Sequence, residues 1–117
     1  MFEETEYHSQ PRKRVVSEDI RASREAAALV RPTNERLGEW QSDAVRLAAR
    51  AERSRRSGGV DAELVNAARA LLGRIDAEVR LFEEEVERRG PRVTQHSRVA
   101  DTRQALRLLS DRLRRLS

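Results

Sequence analysis

The chain has 117 residues, which suffices for one domain with one modest core and is too short for two. Only 38% of the residues are hydrophobic and only four are aromatic, so we expect neither a deep ligand cavity nor a small-molecule substrate. The 24 basic and 20 acidic residues leave a net charge of only +4, and the absence of Cys excludes disulfides, zinc-thiolate sites and thiol nucleophiles.

The composition also predicts a cytoplasmic location without a membrane partner. The longest apolar run is Ala26–Val30, whereas a membrane-spanning helix needs roughly 20 apolar residues. The amino-terminal segment MFEETEY is acidic, whereas a secretory signal is basic and then apolar.

The chain begins with a segment that lacks helical periodicity. Residues 1–15 contain Pro11 within the basic sequence SQPRKR, and we expect them to form a flexible tail. Residues 16–117 are expected to form a single helical-bundle domain.

Two helical patterns follow, separated by a proline. The first predicted helix spans about Ser17–Arg31, and its apolar stripe is Val16, Ile20, Ser23, Ala27 and Val30. The second runs from Thr33 or Asn34 to about Arg56, and its stripe is Leu37, Trp40, Ala44, Leu47 and Ala51. Because proline lacks an N–H and crowds the preceding turn, Pro32 either ends the first helix or kinks one long helix. The sequence leaves both possibilities open.

Two further helices have clearer limits. The third predicted helix runs from an Asp61 cap to about Arg89 and ends at Gly90-Pro91, with the stripe Leu64, Ala68, Leu71, Ile75, Val79, Phe82 and Val86. The fourth begins at about Ser97, with the stripe Val99, Thr102, Leu106, Leu109, Leu113 and Leu116.

These patterns predict an all-α fold, an antiparallel up-down bundle of about four helices, in which the first helix pair forms either a hairpin or one kinked helix. We expect the most buried side chains to be Trp40, Leu71, Ile75, Phe82, Leu106 and Leu109. The third helix would outrun its neighbours, so we also expect self-association, of coiled-coil type, or a partner helix.

No residue pattern indicates catalysis, a cofactor or a metal. His8 and His96 are far apart in the sequence. The acidic cluster Glu83, Glu84, Glu85 and Glu87 lacks the Glu-x-x-His motifs of metal-binding bundles, so salt bridges to Arg88, Arg89 or a neighbouring helix explain it better. We therefore expect a protein that is not an enzyme.

Two functional hypotheses remain open. One is a helical interaction module, such as an adaptor, assembly subunit or regulator, that binds other proteins. The other is a small subunit that contacts nucleic-acid phosphates through arginine without reading sequence. The basic set contains 23 Arg and one Lys, which suits phosphate or carboxylate partners and also fits the codon usage of a GC-rich genome.

The predicted topology places arginines at one end of the bundle. In an up-down bundle of four helices, consecutive helices run in opposite directions. One pole of the bundle is therefore formed by the start of the first helix, the end of the second, the start of the third and the end of the fourth. An anionic partner is expected to bind there, through Arg50, Arg53, Arg55, Arg56, Arg112, Arg114 and Arg115. Ordinary surface placement, favoured by the helix dipole, explains the same arginines equally simply.

Overall fold

The protein folds into helices only, in agreement with the predicted class. The computed structural model describes the backbone of residues 2–117 and the side chains of residues 17–117. It consists of α1 (Phe2–Ser57), α2 (Ala62–Glu87), the short α3 (Pro91–Thr94) and α4 (Ser97–Leu116). The three long helices pack against one another, and no strand occurs in the described backbone.

The long helices run up, down and up. Thr33 and Glu78 are hydrogen-bonded near the middle of α1 and α2, while Arg50 bonds Asp61 where the two helices join, so α1 and α2 are antiparallel. Arg103 bonds Glu83 near the start of α4, and Arg114 approaches Asp76 near its end, so α4 is antiparallel to α2. The up-down arrangement predicted for the second, third and fourth helices is therefore confirmed, whereas the first predicted helix belongs to α1 and does not form a hairpin with the second.

α1 continues through Pro32, which decides between the two possibilities that the sequence left open. Pro32 lies inside the helix with its ring exposed. Val30, Thr33 and Leu37 are all buried, and their spacings of 3 and 4 carry the buried face past the proline without a change of phase. We infer that burial on both sides of Pro32 offsets the cost of about 3 kcal/mol that an interior proline imposes.

The core agrees with most of the predicted stripes. Leu71, Ile75, Phe82, Leu106 and Leu109 are all buried. Trp40 is only partly buried, so its place among the most buried side chains is a wrong prediction. The largest fully buried side chains are Ile75, Leu106, Leu113 and Val99.

Two stripes differ from the predicted ones. Ile20 is 47% exposed, and the buried face of α1 passes instead through Ala22 and Ala26. On α2, Glu78 takes a buried position beside the half-buried Val79. In both places the sequence-based prediction assigned the larger apolar residue, Ile20 or Val79, to the buried face. The geometry of the neighbouring helices buries a different residue instead.

The turns between the helices contain capping residues, among them the predicted Asp61. Gly58 has a φ of 72°, in the left-handed region that glycine adopts without strain, and it lies directly after α1. The Asp61 carboxylate accepts a hydrogen bond of 3.0 Å from the Leu64 N–H at the start of α2. Between α2 and α4, Gly90 and Pro91 begin the short α3, which the sequence patterns did not indicate.

The basis of the self-association prediction is wrong. α1 has 56 residues and α2 has 26, so the helix that outruns its neighbours is the first one. Among the described side chains, the exposed large apolar residues are Ile20, Val45, Val60, Leu81 and Leu108.

Two further predictions concern the amino-terminal segment and the membrane. The backbone of residues 2–15, where the sequence predicts a flexible tail, lies within α1, and the side chains of these residues lie outside the described part of the chain. The flexibility of this stretch stays a prediction. In the described part of the chain, no helix has both the length and the hydropathy that crossing a bilayer requires.

Candidate interaction site at the arginine pole

The seven predicted anion-binding arginines lie at one end of the bundle. Because α1 and α4 are parallel, their carboxyl ends lie together where α2 begins, and Arg55, Arg112 and Arg115 line one groove there. We call this end of the bundle the arginine pole. Its arginines are Arg50, Arg53, Arg55 and Arg56 of α1 and Arg112, Arg114 and Arg115 of α4.

The start of the first predicted helix does not belong to this pole, which corrects the predicted topology. Arg92, next to the start of α3, forms ion pairs of 3.0 Å with Glu18 and 2.7 Å with Asp19. Arg21 and Arg24 therefore lie at the opposite end of the bundle, because α1 does not turn back at Pro32. Among the described side chains, four of the seven arginines of the pole form ion pairs, and their five carboxylate partners are Glu52, Asp61, Glu63, Asp76 and Asp111.

Arg50 has a structural role at the pole. Its Nε and Nη2 atoms donate to the two oxygens of Asp61 at 2.6 and 2.8 Å, and Nη2 also donates to Glu63 at 3.1 Å. The hydrogen bonds to Asp61 are the main cause of the raised pKa of Arg50. Arg50 thus holds the end of α1 to the start of α2, and it is not available to a partner.

Three other arginines of the pole make looser ion pairs. Arg55 and Arg56 approach Glu52 at 3.3 and 3.8 Å, and Arg114 approaches Asp111 at 3.4 Å and Asp76 at 3.8 Å. All of these side chains are substantially exposed, and such pairs contribute about 0–1 kcal/mol each. A partner could therefore replace them at little cost.

Arg53, Arg112 and Arg115 are exposed, and none of them forms an ion pair with another described side chain. Arg115 lies in the last turn of α4, where its positive charge also stabilises the carboxyl end of the helix through the helix dipole. The predicted topology placed these arginines together with Arg50. It could not show that Arg50 is paired and that these three are not, because ion pairing depends on the tertiary contacts.

The groove at the pole combines an apolar floor with a charged rim. It is open, encloses about 650 Å³, and is lined by all three long helices. Its floor includes Ala48 of α1, Val65 of α2 and Leu116 of α4, all of them half-buried. Its rim carries Arg55 on the α1 side and Arg112 and Arg115 on the α4 side.

The other predicted chemical candidates have structural roles. His96 Nδ1 accepts a hydrogen bond of 3.2 Å from the Arg98 N–H at the start of α4, and the side chain of His8 lies outside the described residues. Glu83 is bound by Arg103 at 2.6 and 2.9 Å, and Glu85 by Arg88 at 2.6 Å, as the salt-bridge interpretation predicted. Among the described side chains, no group of three potential metal ligands is found.

A buried polar cluster in the core was not predicted. The Thr33 hydroxyl and Arg36 Nη2 donate to Glu78 Oε1 at 2.9 and 2.6 Å, and the bond to Glu78 is the main cause of the raised pKa of Arg36. One feature of the sequence indicated this cluster: the polar residue Thr33 lies at a position of the buried stripe of α1. Thr33 and Arg36 both donate to Glu78, so the cluster joins α1 to α2 and offers no site.

Comparison with protein-family models, with curated proteins and with solved structures finds no match to this chain. The geometry of the arginine pole is therefore the basis for the functional argument.

Proposed function

We propose that this chain is a non-enzymatic helical interaction module, an adaptor, assembly subunit or regulator, that binds another protein through the groove at the arginine pole. The observation that carries the proposal is the combination of a half-buried apolar floor with an arginine rim in one open groove. Protein interfaces commonly have an apolar centre inside a polar rim, and arginine is enriched among the residues that dominate binding.

The groove is poorly suited to catalysis. Its polar groups other than arginine are Ser54 and Asp61, and the Ser54 hydroxyl donates to Asp61 at 3.2 Å. Asp61 is already occupied by Arg50 and by the cap of α2. The described groove therefore contains no nucleophile with a free general base beside it.

A nucleic-acid partner is the second candidate, and the exposed Arg53, Arg112 and Arg115 favour it. Three phosphate contacts would give a salt dependence of log K with a slope of about −2.7, whereas strong backbone binders make about 6–10 contacts. The apolar floor would have no use in such a complex. These two points favour a protein partner.

Site-specific photo-crosslinking in the native cells tests the proposal. A photoreactive residue replaces Val65, on the groove floor, and in a matched control it replaces the exposed Leu81 on the same helix. We expect a discrete protein adduct at position 65 that is absent at position 81 and is lost when Arg55, Arg112 and Arg115 are changed to Gln.

Two other outcomes would contradict the proposal. A nucleic-acid adduct at position 65 would establish the second candidate instead. Equal labelling at positions 65 and 81, or no adduct at either, would mean that the groove is not an interface.

A further inference from the structure

We infer that the occupant of the groove is an acidic amphipathic helix of a different protein, an inference that rests on the function proposed above. Its apolar side chains would contact Ala48, Val65 and Leu116, and its carboxylates would pair with the arginines of the rim. This is the helix-in-groove mode of recognition, in which apolar anchors recur at spacings of three and four.

Charge complementarity determines the sign of the partner. Among the described residues that line the groove, Asp61 is the only carboxylate, and Arg50 binds both of its oxygens. Arg112 and Arg115 form no ion pair with any described side chain, and Arg55 is held only by Glu52 at 3.3 Å. The rim therefore presents positive charge on both sides of the floor, and acidic residues on both flanks of a helix would match it.

The shape of the groove favours a helix over an extended strand or a phosphate backbone. Its walls are the ends of α1 and α4, which run parallel, with the first turns of α2 between them. A groove between parallel helices accepts the side-chain ridges of a further helix. A strand would leave its backbone groups without partners, since the described groove has no sheet edge to pair with.

A second copy of this chain is a poor occupant. Its most acidic segment is the end of α2, where Glu83 is bound by Arg103 at 2.6 Å and Glu85 by Arg88 at 2.6 Å. The exposed apolar residue of that segment is Leu81, which gives one anchor where an amphipathic helix supplies several. We therefore assign the acidic helix to another protein, and binding of a second copy, through this segment or through the acidic MFEETEY, is an outcome of the test below.

Three synthetic peptides of about 16 residues, roughly 24 Å as a helix, test the inference in solution with the full chain. The first has a leucine stripe flanked by Glu, the second replaces every Glu by Gln, and the third has the composition of the first with the stripe scrambled. Fluorescence anisotropy gives the affinities, and the amide NMR signals of residues 48, 65 and 116 report the location.

We expect the Glu peptide to bind in the groove, and the Gln and scrambled peptides to bind at least about tenfold more weakly. Changing Arg55, Arg112 and Arg115 to Gln should cost about the same factor. The matched control changes Arg31, Arg80 and Arg98, which are exposed and lie outside the groove, and it should bind the Glu peptide as the parent does. Circular dichroism and Tm confirm that both triple variants remain folded.

Other results would overturn the inference, and they are distinguishable from failure of the proposed function. Equal binding of the Glu and Gln peptides, or equal loss in both triple variants, contradicts an acidic helix at the groove. If position 65 crosslinks to a protein whose contacting segment is neutral or basic, the proposed function stands and the acidic helix does not. A dimer that the groove variant abolishes would make a second copy the occupant.

Discussion

Glu78 shows how a single residue connects α1 and α2. Its carboxylate is buried, with 8% of the side chain exposed, while the side chain of its cation Arg36 is 49% exposed. Burying a carboxylate is costly unless it is paired and hydrogen-bonded. Thr33 and Arg36 meet both conditions, so we expect the stability of the bundle to depend on them.

Changing Arg36 to Gln removes the cation and leaves the buried carboxylate with only Thr33. We expect the free energy of unfolding to fall by about 1–3 kcal/mol, the cost of a buried polar group that loses its partner. The matched control is Arg46→Gln, because Arg46 pairs with Asp43 at 2.8 Å on the surface, where such pairs contribute about 0–1 kcal/mol. Urea unfolding measures both changes, and equal losses would show that the Glu78 pair is no stronger than a surface pair.

Asp61 predicts a pH dependence of stability. The hydrogen bonds from Arg50, and next the one from the Leu64 N–H, hold the pKa of Asp61 below its ordinary value. The folded protein therefore binds this proton less tightly than the unfolded chain, whose Asp pKa is about 3.9. The contribution of Asp61 to stability is fully present above that pH and is lost as the pH falls through the lower, folded-state value.

The test compares Tm against pH for the parent and for Asp61→Asn, which keeps an oxygen that can cap α2 but does not titrate. Between about pH 5 and pH 2, Tm of the parent should fall more steeply than Tm of the variant. The other carboxylates titrate in both proteins, so parallel curves would contradict the role assigned to Asp61.

At the scale of elements, α2 and α4 could be predicted from the sequence because their ends carry strong local signals. Asp61 caps α2, Gly90 and Pro91 follow it, and the apolar stripe of α4 was assigned correctly along its length. Glu78 could not be predicted as buried, since its burial requires Thr33 and Arg36 on another helix. A helix cap is determined by residues that are adjacent in the sequence, whereas the pairing of a buried charge depends on residues of another helix.

α1 was harder to predict because two rules conflicted at Pro32. A proline favours a helix boundary, whereas the buried positions Val30, Thr33 and Leu37 continue one stripe across it. The stripe dominates because burial along a helix of this length outweighs one lost hydrogen bond. The first predicted stripe was also displaced, since it followed Ile20 and missed the small residues Ala22 and Ala26.

Changing Pro32 to Ala should stabilise the protein. The variant restores a backbone donor and removes the ring from the helix interior, and it loses the smaller advantage of a stiffer unfolded chain. We expect a net gain of about 2 kcal/mol in the free energy of unfolding. Chemical denaturation measures it, and a neutral or destabilising result would indicate that the chain turns or kinks strongly at Pro32.

Phe82 and its neighbour Leu81 form a matched test of the core. Phe82 is 3% exposed and Leu81 is 58% exposed, one residue apart on α2. Phe82→Ala should lower the free energy of unfolding by about 3–5 kcal/mol, whereas Leu81→Ala should change it by no more than about 0.5 kcal/mol. Similar losses in the two variants would mean that the buried face of α2 is assigned incorrectly.

At the scale of the whole molecule, the direction of the helices creates the candidate site. The protein is a rod with extents of 81 × 25 × 17 Å, and the parallel α1 and α4 both end at one pole. The seven arginines of the site could be predicted, because each lies near the end of a helix whose direction alternates. The ion pair of Arg50 with Asp61 and the apolar floor between the three helices could not be predicted, because both arise from tertiary contacts.

α1 is one continuous helix, and its length separates the early residues of the helix from the arginine pole. Because the chain has no Cys, Ser17→Cys and Ser57→Cys place two spin labels without background, and pulsed electron paramagnetic resonance measures the distance between them. A continuous helix of 40 residue steps predicts a separation of about 60 Å. A hairpin at Pro32 would bring Ser17 back towards Ser57, to about 20 Å or less, and that result would contradict both the fold and the composition of the pole.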